Sequence, residues 1–230
     1  MPVIGTLDIV IGVWLFFRPT KAAALYMTFW ATFTALLRPI AGLGWWEFLE
    51  RGGNYGPPLA LLMLAMVVYP TRNEGWFRPF ELPRLTPELT ERLIWVLRIS
   101  IALLLIGHGG FGYFQGKPML LNHLVSAGIG DGTAVGALPF LHGQGAFEIA
   151  LGVVVLVLPH GRAAVACMAV LAVTVVWKVL TEFLYINHNP GMDIFEFVER
   201  AGDYFAPMAM IFLIQRQSEQ TASTTAPAPA

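Results

Sequence analysis

Long apolar segments recur along the whole chain and restrict its fold more than any other feature of the sequence. Seven are visible, at about 3–17, 22–37, 57–70, 92–107, 137–158, 163–180 and 204–215. They are continuous runs without the alternation of polar and apolar residues that is typical of membrane-spanning strands. Because a helix satisfies its own backbone hydrogen bonds in hydrocarbon, these segments predict an all-α, polytopic transmembrane helical bundle of about seven spans.

Composition agrees with this prediction and narrows the choice of partners. Hydrophobic residues make up 56% of the 230 residues and charged residues 13%, against about 45–50% and 25% in soluble domains. A net charge of −1 gives no electrostatic reason to expect nucleic acid. The single cysteine, Cys167, cannot form an internal disulfide or a dithiol pair. We expect the lipid bilayer, partner membrane proteins or further copies of this chain as the contacting molecules.

An internal duplication organises the chain. The block at 47–58, EFLERGGNYGPP, returns at 196–207 as EFVERAGDYFAP, with seven of twelve positions identical at a constant offset of 149 residues. At an offset of 140, Gly5, Asp8, Gly12 and Pro19 return as Gly145, Glu148, Gly152 and Pro159, and Thr34 and Arg38 as Thr174 and Lys178. The second copy has nine more residues around 185–191. Self-similarity of this kind predicts repeated architecture, so spans one to three and five to seven form two parallel copies around an unduplicated fourth span.

The connections between the segments predict the orientation and the domain boundaries. Lys and Arg concentrate in alternate connections, at Arg18, Lys21, Arg72, Arg78, Arg84, Arg92, Arg162 and Arg216. Basic connections face the cytoplasm, so we expect the N-terminus outside and the C-terminus inside, in the inner or plasma membrane of a bacterium or archaeon. The first repeat covers 1–70, a proline-rich cytoplasmic linker covers 71–91, a four-helix unit covers 92–216, and 217–230 is predicted to be a disordered tail.

Ionisable side chains within apolar segments are the first candidates for a functional site: Asp8, Arg38, Arg98, Glu148, Lys178 and Glu182. Each costs about 2.5–3.5 kcal/mol at a helix centre and usually faces a partner inside the bundle. The glycines that flank Asp8 and Glu148 on one helical face permit close helix approach. We predict one acid–base pair per half, Asp8 with Arg38 and Glu148 with Lys178. These pairs are either structural pins or a proton relay or polar ligand site, and Lys178 and Glu182, four residues apart, could instead neutralise each other.

The repeated blocks predict a short interfacial helix followed by the start of a span. Their acids recur three residues apart among aromatic and aliphatic side chains, a pattern that suits the headgroup region. We interpret them as scaffold elements, with the lid of a ligand cavity between the halves as the alternative. The residues of this motif are Glu50, Arg51 and Tyr55 in the first copy and Glu199, Arg200 and Tyr204 in the second.

Histidines on the external side form a second candidate group, His108, His142 and His188. Two histidines at adjacent helix ends could bracket a haem or a metal ion, yet none occupies a repeated position or an i, i+4 ligand pair. The pattern therefore favours neither haem nor metal ligation. Contact with a quinone or with a proton path remains as the role of these histidines. The chain also lacks a P-loop, a dinucleotide-binding G-x-G-x-x-G after a strand, H-E-x-x-H and G-x-S-x-G.

The second half of the chain resembles a known family. Arg98, a predicted helix end at Gly107-His-Gly-Gly110, Gly145-x-x-Glu148-x-x-x-Gly152 and a short basic turn before the next helix resemble the DoxX/DoxD-like four-helix membrane proteins. Some members of that superfamily look like small subunits of quinol oxidases or thiosulfate:quinone oxidoreductases, and others are accessory proteins or cargo receptors.

The resemblance implies a subunit or accessory protein of a respiratory or other redox complex, which contacts quinone or a partner protein through its external half and has no soluble-type active site of its own. Glu148, Lys178, Arg98 and His108 are the residues on which this function is expected to depend. Two other functions remain open from the residues alone. The parallel repeats with midmembrane charges are compatible with a small-solute carrier or channel, and the repeated face is compatible with a membrane scaffold that binds a protein partner.

Overall fold

The computed structural model describes residues 2–71, 74–186 and 190–225, and the described residues form helices without a strand. The predicted all-α fold class is confirmed. The helices are α1 (Pro2–Phe17), α2 (Lys21–Ile40), α3 (Trp45–Leu49), α4 (Gly52–Val68), α5 (Pro87–Gln115), α6 (Pro118–Ser126), α7 (Ala134–Val157), α8 (Ala164–Ile186), α9 (Pro190–Glu199) and α10 (Gly202–Thr225).

Three helices of the described chain are long and apolar enough to cross a membrane: α5, α7 and residues 164–183 of α8. A fourth apolar helix, over residues 5–17 of α1, is shorter. A helix of 20 residues is about 30 Å long, which matches the hydrocarbon thickness of a bilayer. These helices are those of a membrane protein.

Helix α5 is the centre of the molecule. It begins at Pro87, where the Thr86 side chain accepts a hydrogen bond from the Leu89 amide at 3.3 Å, as an N-cap residue does. It packs against α4, α7 and α10. Its apolar residues, with those of α4, α7, α8 and α10, form the main core cluster.

Glycines on α5 allow neighbouring helices to approach closely. A Cβ atom added at Gly109 would lie 2.5 Å from the Gly145 carbonyl oxygen of α7, and one at Gly107 would lie 2.2 Å from the Glu50 amide nitrogen. We interpreted Gly107–Gly110 as a helix end, and this is wrong: the helix continues to Gln115 and ends at Gly116, whose φ is 56°. Close packing offsets the low helix propensity of glycine, about 1 kcal/mol per residue.

Several predicted boundaries also need correction. The linker ends at Thr86 rather than residue 91, because Pro87 opens α5. Residues 217–225 belong to α10 and are not disordered, since Gln217 donates to Glu91 at 3.0 Å and Gln220 to the Leu85 carbonyl at 3.2 Å. The rest of that predicted tail lies outside the described residues. Helix α6 occupies a connection in which no helix was expected.

The repeated blocks adopt matching local structure. The predicted short helices are present as α3 and α9. After each of them a tyrosine donates to a carbonyl seven residues earlier, Tyr55 to Phe48 at 3.5 Å and Tyr204 to Phe197 at 2.9 Å. The same tyrosines stack on the same phenylalanines, with ring centroids 5.5 and 5.2 Å apart. These contacts hold each short helix against the start of the helix that follows it.

Candidate polar ligand site

A polar cavity of about 220 Å³ lies where α3, α4, α9 and α10 meet the C-terminal part of α5. We refer to it as the polar cavity. Side chains of both charges line it: Arg38, Glu47, Glu50, Arg51, Asn54, His108, Lys117, Met119, Glu199, Arg200 and Asp203. The repeated blocks contribute to both sides of this cavity, because one ends α3 and begins α4 while the other ends α9 and begins α10.

Ion pairs hold the wall of the polar cavity that faces α2 and α3. The Lys117 ammonium lies 2.8 Å from Glu50 and 3.6 Å from Glu47, and Arg38 lies 3.3 Å from Glu47. Burial alone would raise the pKa of Glu50, but the charge and hydrogen bond of Lys117, with the charges of His108 and Arg200, outweigh burial and lower it. Glu50 is therefore a carboxylate anchored by its cation.

His108 stands out among the lining residues by its hydrogen bonding. Its side chain is buried, with 3% of the residue exposed, and Nδ1 is hydrogen-bonded to Glu148 of α7. The other Glu148 oxygen accepts a hydrogen bond from the Trp177 indole at 2.9 Å. His108 Nε2 is buried and has no hydrogen-bond partner in the part of the chain that the structure describes.

This arrangement determines what His108 can do. With Nδ1 engaged by a carboxylate, a neutral imidazole donates from Nδ1 and keeps an acceptor lone pair on Nε2, whereas a protonated ring donates from both nitrogens. A histidine held in this way can accept or donate a proton at Nε2 without leaving its position.

A charge network beside His108 joins α8 to the start of α10. Lys178 is fully buried and lies 3.0 Å from Glu182 and 3.4 Å from Asp203, and Arg200 lies 3.1 Å from Glu182. Two cations therefore balance two anions. Buried charges are tolerated only when they are paired in this way, so the network is a packed unit between α8 and α10.

The acids of the predicted pairs have different partners from those expected. Asp8 accepts a hydrogen bond from Trp30 at 3.3 Å, and among the described residues Arg38 forms its ion pair with Glu47 instead of Asp8. Helix α3 packs against α2, which places Glu47 3.3 Å from Arg38. Helix α5 approaches α7 and places His108 next to Glu148. Lys178 forms an ion pair with Glu182 at 3.0 Å, which is the alternative that their four-residue spacing indicated.

Three predicted site residues lie away from the polar cavity, and a fourth cannot be placed. Arg98 donates to the Leu158 carbonyl at 2.7 Å and lies 2.9 Å from His160, about 15 Å along α5 from His108. His142 lies beside the Tyr113 ring, and Asp8 lies on α1. His188 falls outside the described residues.

Sequence reasoning missed five lining residues: Glu47, Asn54, Lys117, Met119 and Asp203. Asn54 and Asp203 occupy the same position of the repeated block, and that polar position was a signal that could have identified them. Lys117 and Met119 had no such signal, because they reach the polar cavity only through the fold of the segment that begins α6.

Metal ligation and similarity to other proteins add no further assignment. Within the described ranges, no group of three His, Cys, Asp or Glu side chains could hold a metal ion. Comparisons with protein-family models, with curated proteins and with solved structures each found no match to this chain.

Proposed function

We propose that this chain is an integral membrane component of a redox complex, and that its polar cavity receives the headgroup of a quinone. The observation that carries the proposal is the buried Nε2 of His108, which faces no partner among the described residues while Nδ1 is held by Glu148. The resemblance of residues 92–214 to DoxX/DoxD-like proteins supports the same assignment.

His108 would exchange a proton with the quinone, and the electrons would pass elsewhere. A quinone oxygen accepts a hydrogen bond from a protonated Nε2, and a quinol hydroxyl donates one to a neutral Nε2. When the quinol is oxidised, one of its two hydroxyl protons moves to Nε2, where the Glu148 carboxylate lies next to the resulting imidazolium, and the other proton is released to water at the external side. The electron pair passes to a redox centre of a partner protein, so this chain supplies proton exchange and positioning.

Two equivalent tyrosine hydrogen bonds, each to a carbonyl seven residues earlier in the chain, support the proposed tandem repeat. α1–α4 and α7–α10 follow one another in the same order, and Tyr55 and Tyr204 make equivalent hydrogen bonds. The two copies would meet at equivalent glycines, since a Cβ atom added at Gly202 would lie 2.0 Å from the Gly53 carbonyl oxygen. We propose seven spans, α1, α2, α4, α5, α7, α8 and α10, with the N-terminus outside, which places the polar cavity at the external side.

The test is binding of a short-chain ubiquinone or menaquinone analogue to the purified chain in lipid nanodiscs. Quenching of tryptophan fluorescence measures the affinity. His108→Asn keeps an amide donor near the Nδ1 position for Glu148 and removes Nε2. We expect it to weaken binding about tenfold, because one hydrogen bond to a buried group contributes about 1–1.5 kcal/mol.

His142→Asn is the matched control, since His142 lies on α7 outside the polar cavity. We expect its affinity to equal that of the unaltered chain. Equal binding by the His108→Asn variant, or no saturable binding by any variant, would overturn the quinone assignment.

A small-solute carrier is a second candidate, and one contact favours it. Arg51 lies 3.0 Å from Glu199, so an ion pair connects the two repeated blocks across the polar cavity. A bridge of this kind could break and re-form as the two halves move. The test of this candidate is uptake of small zwitterionic solutes by proteoliposomes that contain the unaltered chain. Proteoliposomes with the Arg51→Gln variant are the comparison. Uptake no greater than that of empty liposomes would exclude the carrier function for the solutes tested.

A further inference from the structure

A second cavity, which we name the apolar groove, lies between α4, α5 and α10 and has a volume of about 920 Å³. Leu61 and Leu64 of α4, Leu93 and Leu97 of α5 and Phe212 of α10 form its walls. Leu93 and Leu97 are 15 and 11 residues from His108 along α5, which is about 16–22 Å. The apolar groove is therefore separate from the polar cavity.

Two arginines line the apolar groove, Arg84 from the segment before α5 and Arg216 from α10. Both are exposed, and neither forms an ion pair with another residue in the part of the chain that the structure describes. The extension of α10 sets their relative position, because Gln220 donates to the Leu85 carbonyl at 3.2 Å. Two uncompensated guanidinium groups therefore stand beside a long apolar surface.

We propose that the apolar groove binds an anionic phospholipid of the surrounding bilayer. An acyl chain lies along the leucines of α4 and α5, and the phosphate lies between Arg84 and Arg216. Arginine is suited to this role because its planar guanidinium can donate two hydrogen bonds to one phosphate. The proposed quinone site plays no part in this binding, so either assignment can fail without the other.

Charge complementarity distinguishes this occupant from a neutral lipid. Basic pockets between membrane helices select anionic headgroups, and each Arg or Lys near the surface contributes about 1 kcal/mol, or about fivefold in affinity. The apolar groove would hold any acyl chain of suitable length. The two arginines would make phosphatidylglycerol bind more tightly than phosphatidylcholine with the same acyl chains.

The test is native mass spectrometry of the purified full chain, delipidated in detergent and titrated with phosphatidylglycerol or with phosphatidylcholine of identical acyl chains. We expect phosphatidylglycerol to bind at least tenfold more tightly. The double variant Arg84→Gln, Arg216→Gln should lose that preference. Arg78→Gln is the matched control, an exposed arginine of the same segment that does not line the apolar groove, and it should retain the preference.

A second pair of variants tests the acyl-chain position. Ala209 lines the apolar groove and is exposed, so Ala209→Trp places an indole ring in the path of the acyl chain without disturbing the core. We expect this variant to lose binding of phosphatidylglycerol, while Ala172→Trp, at an exposed position of α8, retains it. Equal binding of the two lipids, an unaffected double arginine variant, or unchanged binding by Ala209→Trp would each overturn the proposal. Unfolding temperatures of all variants show whether a loss reflects misfolding.

Discussion

Replacement of Lys178 with methionine removes the cation that two buried carboxylates share. Lys178 is fully buried, 3.0 Å from Glu182 and 3.4 Å from Asp203, and Arg200 lies 3.1 Å from Glu182. Methionine has a similar length and leaves no large cavity. The change therefore isolates the electrostatic contribution of one charge to the contact between α8 and α10.

The expected size follows from the charge balance of the network. Among Lys178, Arg200, Glu182 and Asp203, two cations balance two anions; within this group, Lys178→Met leaves one excess negative charge and Asp203→Asn leaves one excess positive charge. Loss of one partner of a buried pair costs about 3–5 kcal/mol. The double variant restores neutrality, because Arg200 and Glu182 still form a pair. We expect its free energy of unfolding to exceed the additive value by at least about 2 kcal/mol.

Reversible unfolding in mixed detergent micelles, followed by circular dichroism, gives the four free energies of this cycle. The matched control is Arg51→Gln at the ion pair with Glu199, whose side chain is 54% exposed. Exposed pairs contribute about 0–1 kcal/mol, so this variant should unfold almost as the unaltered chain does. Strictly additive effects of Lys178→Met and Asp203→Asn would refute the view that the network acts as one balanced unit.

Three further predictions concern other parts of the molecule. Gly109→Ala should lower the unfolding temperature far more than Gly143→Ala, because a Cβ at Gly109 would lie 2.5 Å from a carbonyl of α7 while one at Gly143 meets no atom within 4 Å; equal shifts would contradict the close approach. The lowered pKa of Glu50 contributes stability that is present above its unfolded pKa of about 4.3 and is lost as pH falls through the folded pKa. Lys117→Gln removes the main attractive charge and with it this contribution, so the variant should be less stable than the unaltered chain at about pH 6, and the difference in free energy of unfolding, followed by fluorescence, should shrink as the pH falls to about 3. Arg98→Met removes the donor to the carbonyl at the end of α7 and should cost about 2–3 kcal/mol, with faster hydrogen exchange at the turn between α7 and α8 as the measurement.

Local sequence patterns were sufficient to locate most of the helices, although not α6. Each of the seven apolar segments coincides with a helix, and the amphipathic spacing of Glu47 and Glu50 indicated the short helix α3. The glycines around Glu148 correctly indicated a packing face, because Gly145 meets α5. These predictions succeeded because hydrophobicity and the spacing of small residues act over a few turns of one helix.

The partners of the buried charged residues could not be predicted from local sequence patterns. The predicted repeat suggested that Glu148 pairs with Lys178, but α5, which we predicted to be unduplicated, supplies His108 instead. Lys117 was missed for a related reason, since it meets Glu50 across 67 residues of chain. The continuation of α5 through its glycines was also missed. A glycine-rich segment predicts a helix end unless the helices that pack against it are known.

The sequence by itself determined that the chain is helical and suited to a membrane, and it identified the ionisable residues that must be paired there. Apolar length and charge scarcity decide these properties, and both are sums over nearby residues. The tertiary structure alone decided which residues share a site. His108, Glu50 and Lys117 converge on the polar cavity because separate helices pack against α5, and the relative placement of helices depends on contacts between residues that are distant in the chain.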